Sequence, residues 1–416
     1  MTDAGGTLTA ATLPRVDVDG IDFALDDQPD LHDMLARLRS RRDYAIVPFG
    51  GTRAILLLTQ ELVAAAFKDE DTFPAAAAYS LTTGPVWGKT IQCMSGREHR
   101  VNRAIVSAPL RRNHVAQYVE PIIEPVINEL IDRFAHRGEA DLVAEFTHRF
   151  SLLINNRMLG IPVEDEETVY QWAQGLLHYA IDPEEAKRCA RELTDYVLPI
   201  IAARRRNPGD DMISRIVTET TEDGERLDDE QVLSFIRLLY PVGADTTMLA
   251  MGNVLTALFT HPDQLELLRS NLDEHIPWAV WETLRWEPPV GLLPRACPEA
   301  ATWHGIDIPA FTPMLFAINA ASRDPAVYPD PDTFDITRKV TPLVTFGQGP
   351  HSCIGNWLAF AELTTALRTL LERLPNLQLR PEAAGTRITS QVVATLRGPN
   401  ALPVTFDASA RSSSRA

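Results

Sequence analysis

The stretch Phe346-Gly347-Gln348-Gly349-Pro350-His351-Ser352-Cys353-Ile354-Gly355 places one cysteine on a glycine-punctuated turn, directly ahead of an apolar helical pattern from Ile354 to about Leu374. A sulfur held there faces the positive end of a helix and unpaired backbone N–H groups, and both favour thiolate over thiol. Gly347 and Gly349 let the loop fold tightly around the sulfur, and Gly355 lets a flat ligand approach the backbone. A cysteine serving only as a small buried hydrophobe needs none of these companions. A thiolate presented in this way can act as the axial ligand of a haem iron.

With Phe346, Gly349, His351, Cys353 and Gly355 at these spacings, the loop resembles the haem-binding loop of the cytochrome P-450 family, Phe-x-x-Gly-x-His/Arg-x-Cys-x-Gly. The resemblance implies haem b (heme, iron protoporphyrin IX) as cofactor. Cys353 would be its metal ligand, with Phe346, Gly347, His351 and Gly355 around it. It also implies the cytochrome P-450 fold, mainly α with small β-sheets and a long kinked helix over the haem.

Composition bounds the remaining possibilities. The chain has 416 residues, 45% hydrophobic and 23% charged, enough for a large core. Length alone would suggest roughly two or three domains, but no linker, repeat or composition break divides the sequence. A single domain over 14–406 is therefore expected, flanked by disordered tails at 1–13 and 407–416, as a monomer. Cys93, Cys189, Cys297 and Cys353 lie far apart with no C-x-x-C pair. That argues against a zinc site or a disulfide framework and suits a reducing cytoplasm. The first twenty residues lack a basic start followed by an apolar core, and no run of about 18 apolar residues occurs, so neither a signal peptide nor a membrane anchor is expected. A net charge of −17 disfavours nucleic acid as a partner.

Along the chain, Tyr44 to Pro48 and Arg53 to Leu58 flank Gly50-Gly51 and read as a β-hairpin. Helices are expected over Glu98–Ser107, His114–His136, Ala140–Leu159, Asp165–Ala180 and Pro183–Arg206. The longest candidate runs from Asp228 to Thr260, about 50 Å at ~1.5 Å per residue, with Pro241 and Gly243 predicting a kink near its middle. After Glu287 the chain turns proline-rich, consistent with small sheets and a meander.

At that kink, Val242-Gly243-Ala244-Asp245-Thr246-Thr247 inserts a carboxylate and two hydroxyls into an apolar helix. Helical threonines commonly bond back to preceding carbonyls, which alone would explain them. The segment also resembles the family's Ala/Gly-Gly-x-Asp-Thr element, which implies catalytic roles for Asp245 and Thr246 in delivering protons during O–O cleavage. Val242 departs from that element, replacing its usual Ala or Gly. Glu282-Thr283-Leu284-Arg285 has the spacing of an ordinary helical ion pair, as do Glu185–Arg188 and Glu266–Arg269. Trp286-Glu287-Pro288-Pro289 after it and the distance to Cys353 give it the resemblance to the family's structural Glu-x-x-Arg pair. A second arginine often stands just before a Phe in the family's meander. Thr333 precedes Phe334 here, so the pair is expected to stand alone.

Haem propionates need cations or donors. By matching position, His99, Arg103, Arg295 and His351 are implied to supply them. Arg97, Arg100, Arg103, Arg111 and Arg112 form a basic cluster opposed only by Glu98. A solvated face is the plain reading. The family implies instead a docking face for a separate ferredoxin with its NAD(P)H-dependent reductase, near Arg100, Arg111 and Arg112. Pocket walls are expected from Trp87, Leu239, Val242, Ala244, Val290, Leu293 and Val393, largely apolar and suited to a hydrophobic small molecule. The function implied is an oxidoreductase that inserts one atom of O₂ into such a substrate. A peroxide-driven peroxygenase and a non-catalytic haem-thiolate sensor are the alternatives.

Overall fold

The computed structural model describes residues 13–408 except 29, 163–165, 222, 342, 384 and 391–394. Its axis is the helix Asp229–Thr260, 32 residues long and buried over most of its length. The helix starts at a capping box: Asp228 accepts from the Gln231 N–H, and the Gln231 side chain accepts from the Asp228 N–H, at 2.8 Å each. Helices His148–Leu159, Glu166–Leu177, Leu272–Trp286 and Asn356–Arg373 pack around it. By length and hydropathy the axial helix could cross a membrane, but 72% of its most apolar window is buried inside the protein. It is the core of the fold.

Pro241 does not interrupt this helix. The proline removes one N–H donor, and hydroxyls serve carbonyls just beyond it. Ser151 donates to the Gly243 carbonyl (3.0 Å), and Thr246 donates to that of Val242 (2.7 Å). Other expected helices are broken where the sequence carries prolines or a strand. The span expected over His114–His136 is a short helix Arg112–Val115, a π-helical turn Val119–Ile123 and a helix Glu124–Asp132, divided at Pro121 and Pro125. The helix expected from Ala140 opens instead as a π-helical turn Val143–Thr147 and is α-helical only from His148. Ala140 sits in the strand Glu139–Asp141, opposite Val404. Pro183–Arg206 matches its expected bounds, with Asp182 as its N-cap.

The hairpin forms as strands Tyr44–Phe49 and Thr52–Leu57, with Gly50 and Gly51 at φ +59° and +76°, the left-handed pair that a two-residue turn requires. Thr52–Leu57 runs parallel to Thr312–Ala317, which pairs antiparallel with Leu292–Cys297. Ile46, Ile55, Met314 and Phe316 pack on one face of this sheet; Ala45, Ala54, Leu315 and Ala317 pack on the other. That is the period-two pattern of a sheet covered on both sides. Of the expected tails, Leu13, Asp407 and Ala408 are among the described residues. Leu13 is buried and its carbonyl accepts from Arg53 (2.6 Å), while the Asp407 N–H donates to the Pro375 carbonyl (2.8 Å). The rest of both expected tails lies outside the described residues.

Glu282 and Arg285 are fully buried, 2.7 Å apart in a two-pronged ion pair. Arg285 also donates to the carbonyls of Ser322, Pro331 and Thr333, so one guanidinium gathers the meander. The pair does not stand alone, contrary to expectation. Arg338, four residues past Phe334, reaches Glu282 at 3.3 Å, and the Asp335 N–H donates to the same carboxylate at 3.0 Å. Thr345, just before the cysteine loop, donates to the Leu284 carbonyl at 2.6 Å. Replacing Glu282 by Ala strands Arg285 without a counter-charge in a site closed to water, and should cost about 3–5 kcal/mol. Glu185→Ala, in an exposed pair of the same spacing, should leave stability unchanged. Chemical denaturation of the two variants tests the contrast.

Candidate active site

The cysteine loop is closed by three backbone bonds: Cys353 N–H to Phe346 O (2.8 Å), Gly347 N–H to Val344 O (2.8 Å) and Ser352 N–H to Gly349 O (3.2 Å). Gly347 and Gly349 sit at φ +66° and +71°, and a Cβ on Gly349 would lie 2.6 Å from the Phe67 carbonyl. The loop therefore needs glycine there for its conformation and for its contact with helix Gln60–Lys68. The helix that follows starts at Asn356, two residues later than expected, with Gly355 at its N-cap.

Cys353 is the one cysteine of four with open surface. That surface faces a cavity of about 250 Å³. Burial pushes the thiol pKa up. The Gly355 and Asn356 N–H groups and the Arg103 charge pull it down by less. The backbone donors expected to favour thiolate are present but do not win by themselves. A metal cation at the sulfur would reverse the balance.

Across the cavity, Leu239, Val242, Gly243, Thr246, Thr247 and Ala250 follow at helical spacing along one face of the axial helix. Val290 and Leu293 add apolar side walls, and Phe346, Gly347 and Gly355 line it beside the sulfur. Two expected wall residues lie elsewhere. Ala244 is about 100° round the helix from Gly243 and is buried in the core cluster. Trp87 donates its indole N–H to the Leu176 carbonyl (3.0 Å) and meets the Tyr179 ring at 5.6 Å. Val393 falls outside the described residues. Tyr79, which opens a stretch expected to wall the pocket (Tyr79 to Trp87), does line the cavity; Gln92 and Glu362 line it without any mark in the sequence pattern.

Asp245, one residue from Thr246, turns off the cavity face. Its Oδ1 accepts from Gln174 Nε2 at 2.9 Å, its Oδ2 has no partner among the described residues, and burial raises its pKa to about 7. Glu362 is buried on the cysteine helix with an unpartnered Oε2. Burial pushes its pKa to about 8 against the opposing influence of the Ser151 hydroxyl.

Cations collect at one edge. Arg103 donates to the Ser352 carbonyl at 2.6 Å, and Arg295 donates to Tyr79 Oη at 3.0 Å. The rings of His99 and His351 lie 4.1 Å apart. His99 is buried with an unpartnered Nε2; desolvation first, then His351 and Arg103, hold its pKa down to about 4. Glu70 opposes them through His351 at 3.4 Å. His99 faces a second recess that shares Arg103, His351 and Ser352 with the cavity. A flat apolar ligand carrying two carboxylates at one edge and a metal at its centre fits this set of donors.

The basic cluster is smaller than its sequence suggests. Arg97 pairs with Asp223 (2.9 Å) and Glu225 (2.7 Å), residues far along the chain, and Glu98 is taken by Lys89. Arg103 turns inward. Arg100, Arg111 and Arg112 remain exposed, and Arg112 lies over the Trp357 ring on the cysteine helix at 4.9 Å.

A mainly helical body, a cavity-facing cysteine and a cationic edge define a haem-thiolate enzyme. The family model described as Cytochrome P450 matches residues 23–400, and the chain belongs to that family. It is 34% identical over 307 residues to Cytochrome P450 107B1 of Saccharopolyspora erythraea, covering 73% of this chain and 74% of that protein. It is 33% identical over 312 residues to 6-deoxyerythronolide B hydroxylase of the same organism, covering 74% and 76%. Among solved structures it resembles P450BioI in complex with hexadec-9Z-enoic acid ligated acyl carrier protein, at a TM-score of 0.81 and 27% identity, over 91% of this chain and 98% of that one. The chain is a P450 monooxygenase with haem as its cofactor.

Glu362 generates a prediction that needs no substrate. In the folded protein it keeps its proton up to about pH 8, whereas the unfolded carboxyl loses it near 4.5. Glu362's own contribution to stability is therefore fullest below about pH 4.5 and is lost as pH rises through 8. Glu362→Gln does not titrate, so its unfolding free energy should gain on wild type by roughly 1.4 kcal/mol per pH unit across that window. A constant difference from pH 5 to 8 would show that Glu362 is ionised throughout.

Proposed function

We propose that this chain inserts one atom of O₂ into a hydrophobic small organic molecule, with Cys353 as axial ligand and electrons drawn from a separate ferredoxin. The observation that carries this is the placement of Thr246 and Cys353 on opposite walls of one apolar cavity. The haem, when bound, supplies oxygen activation, using two electrons and two protons per turnover and releasing water.

The protein's own residues do the rest. Leu239, Val290 and Leu293 exclude water and bind an apolar substrate. Arg103, Arg295, His99 and His351, gathered at one edge, would hold the carboxylates of a bound haem. Thr246, whose hydroxyl now donates to Val242 O, offers that hydroxyl to the reacting oxygen. Asp245, with a pKa near 7, is able to give a proton and regain one at neutral pH. The names of two relatives, a 6-deoxyerythronolide B hydroxylase and a P450 in complex with a fatty-acid-ligated acyl carrier protein, favour including fatty acyl ligands and 6-deoxyerythronolide B in a substrate search. Titrating terpenoid, steroid, fatty acyl and aromatic ligands and 6-deoxyerythronolide B against the ferric protein should give a low-to-high spin shift for one of them. With that ligand, Thr246→Ala should keep the spin shift yet divert roughly ten-fold more reducing equivalents to hydrogen peroxide. Unchanged coupling would remove Thr246 from the mechanism.

Arg100, Arg111 and Arg112 form the proposed docking face for an acidic ferredoxin, supported by the contact of Arg112 with the cysteine helix. Electrostatic steering there weakens with salt. Replacing Arg100 and Arg111 with Glu should raise the apparent KM for a surrogate ferredoxin several-fold at low salt and leave ligand-induced spin shifts intact. An unchanged KM would mean that this face is merely solvated.

A further inference from the structure

Buried carboxylates are ordinarily paired with cations, and Glu287 follows that rule, held between His32, Arg397 and Arg323. Asp245 does not. Its partner is a neutral carboxamide from helix Glu166–Leu177, at 2.9 Å, and its second oxygen has none among the described residues. Gln174 itself is only half-buried, so it spans the distance between a carboxyl closed to water and the protein's outer layer. Its backbone is fixed in turn, because His178 Nδ1 lies 2.5 Å from the Gln174 carbonyl.

The titratable groups near the pair are Tyr170, one turn earlier on the same helix, and His148, whose ring lies 6.0 Å from that of Tyr170. Arg149 beside Tyr170 and His178 complete the surroundings. None of them moves the Asp245 carboxyl: burial raises it, and the Gln174 bond alone lowers it.

We infer that Gln174 is a positioning residue for proton delivery: its carboxamide holds the Asp245 carboxyl against the outer helix and sets the fraction of it that carries a proton. The inference rests on the relay role proposed above for Asp245. Each transfer moves one proton from the Asp245 carboxyl toward the cavity, followed by one proton taken up from solvent, with no electron moved. A neutral donor leaves the carboxyl poised, since a cation in the same place would keep it charged. The site would then lose its proton source as pH rises past the Asp245 midpoint.

Two substitutions push that midpoint in opposite directions. Gln174→Leu removes the donor and should raise it by about one pH unit. Gln174→Lys supplies a charge and should lower it by about one unit or more. The haem-loaded wild type and both variants are titrated by infrared absorption of the protonated carboxyl band, assigned by its loss in Asp245→Asn. In parallel, NADH oxidation is followed against pH with surrogate ferredoxin and reductase and with dodecanoic acid as the probe. Support consists of a carboxyl midpoint near pH 7 in the wild type that moves up in the Leu variant and down in the Lys variant, the fall in oxidation rate moving with it. If neither variant shifts the band while Asp245→Asn still slows oxidation, the inference is overturned and the relay reading survives. If Asp245→Asn oxidises NADH at the wild-type rate, the relay reading falls and takes the inference with it.

Discussion

Two opposite charges without solvent on either side decide where the cysteine loop lies. Burying the Glu282 carboxylate and the Arg285 guanidinium is unfavourable unless every remaining donor and acceptor is used. They use them on backbone: carbonyls of Ser322, Pro331 and Thr333, and the N–H of Asp335. The need to satisfy the pair thus draws in a meander of little regular structure and leaves it one arrangement. Thr345 then ties the start of the loop to the same helix through the Leu284 carbonyl. The sulfur is placed by hydrogen bonds whose driving force lies two layers away from it.

Buried carboxyls of similar depth end in different states for the same reason. Glu287 is surrounded by His32, Arg397 and Arg323, and their charges hold its pKa down to about 2 despite complete desolvation. Asp245 and Glu362 meet only a carboxamide and a hydroxyl, and burial drives them to about 7 and about 8. Depth sets the size of the desolvation penalty; the partner decides whether it is overcome. The first kind of group fastens elements together. The second kind has its midpoint near neutrality; Glu362 lines the cavity, and Asp245 stands next to Thr246 but off the cavity face.

The fold was readable where local chemistry determines the outcome. Gly50-Gly51 between the two strands specified a hairpin, and the helix starts expected at Pro183 and Asp228 fall within a residue of those in the structure. The cysteine loop announced itself because Gly347 and Gly349 must adopt positive φ, a demand that shows in residue identity. Reading failed where tertiary contacts override local pattern. Ala140 follows an amphipathic period yet pairs with Val404, a partner more than 250 positions away. Arg97 looked free within its own segment, but Asp223 and Glu225 neutralise it from across the chain. Arg338 gives no local signal because it stands four residues past Phe334 rather than just before it, and Gln174 gives none at all, since a helical glutamine is ordinary until its neighbour is known to be a buried acid. Pro241 and Gly243 predicted a kink within one long helix; the helix is continuous, and the Ser151 and Thr246 hydroxyls serve carbonyls beyond the proline.

The contact between Gly349 and the Phe67 carbonyl has a bearing on how the molecule comes into being. The loop is wedged between a helix near the start of the chain and the Glu282–Arg285 helix, so its closure joins segments about 280 residues apart. Contacts of such sequence separation carry a large loop-closure cost and form late in folding. During synthesis the axial helix and its neighbours leave the ribosome well before Phe346 does. The cavity's apolar wall therefore exists for a time without the wall that bears the sulfur, and its exposed Leu and Val side chains are the surface on which a nascent chain of this protein is most prone to associate with another.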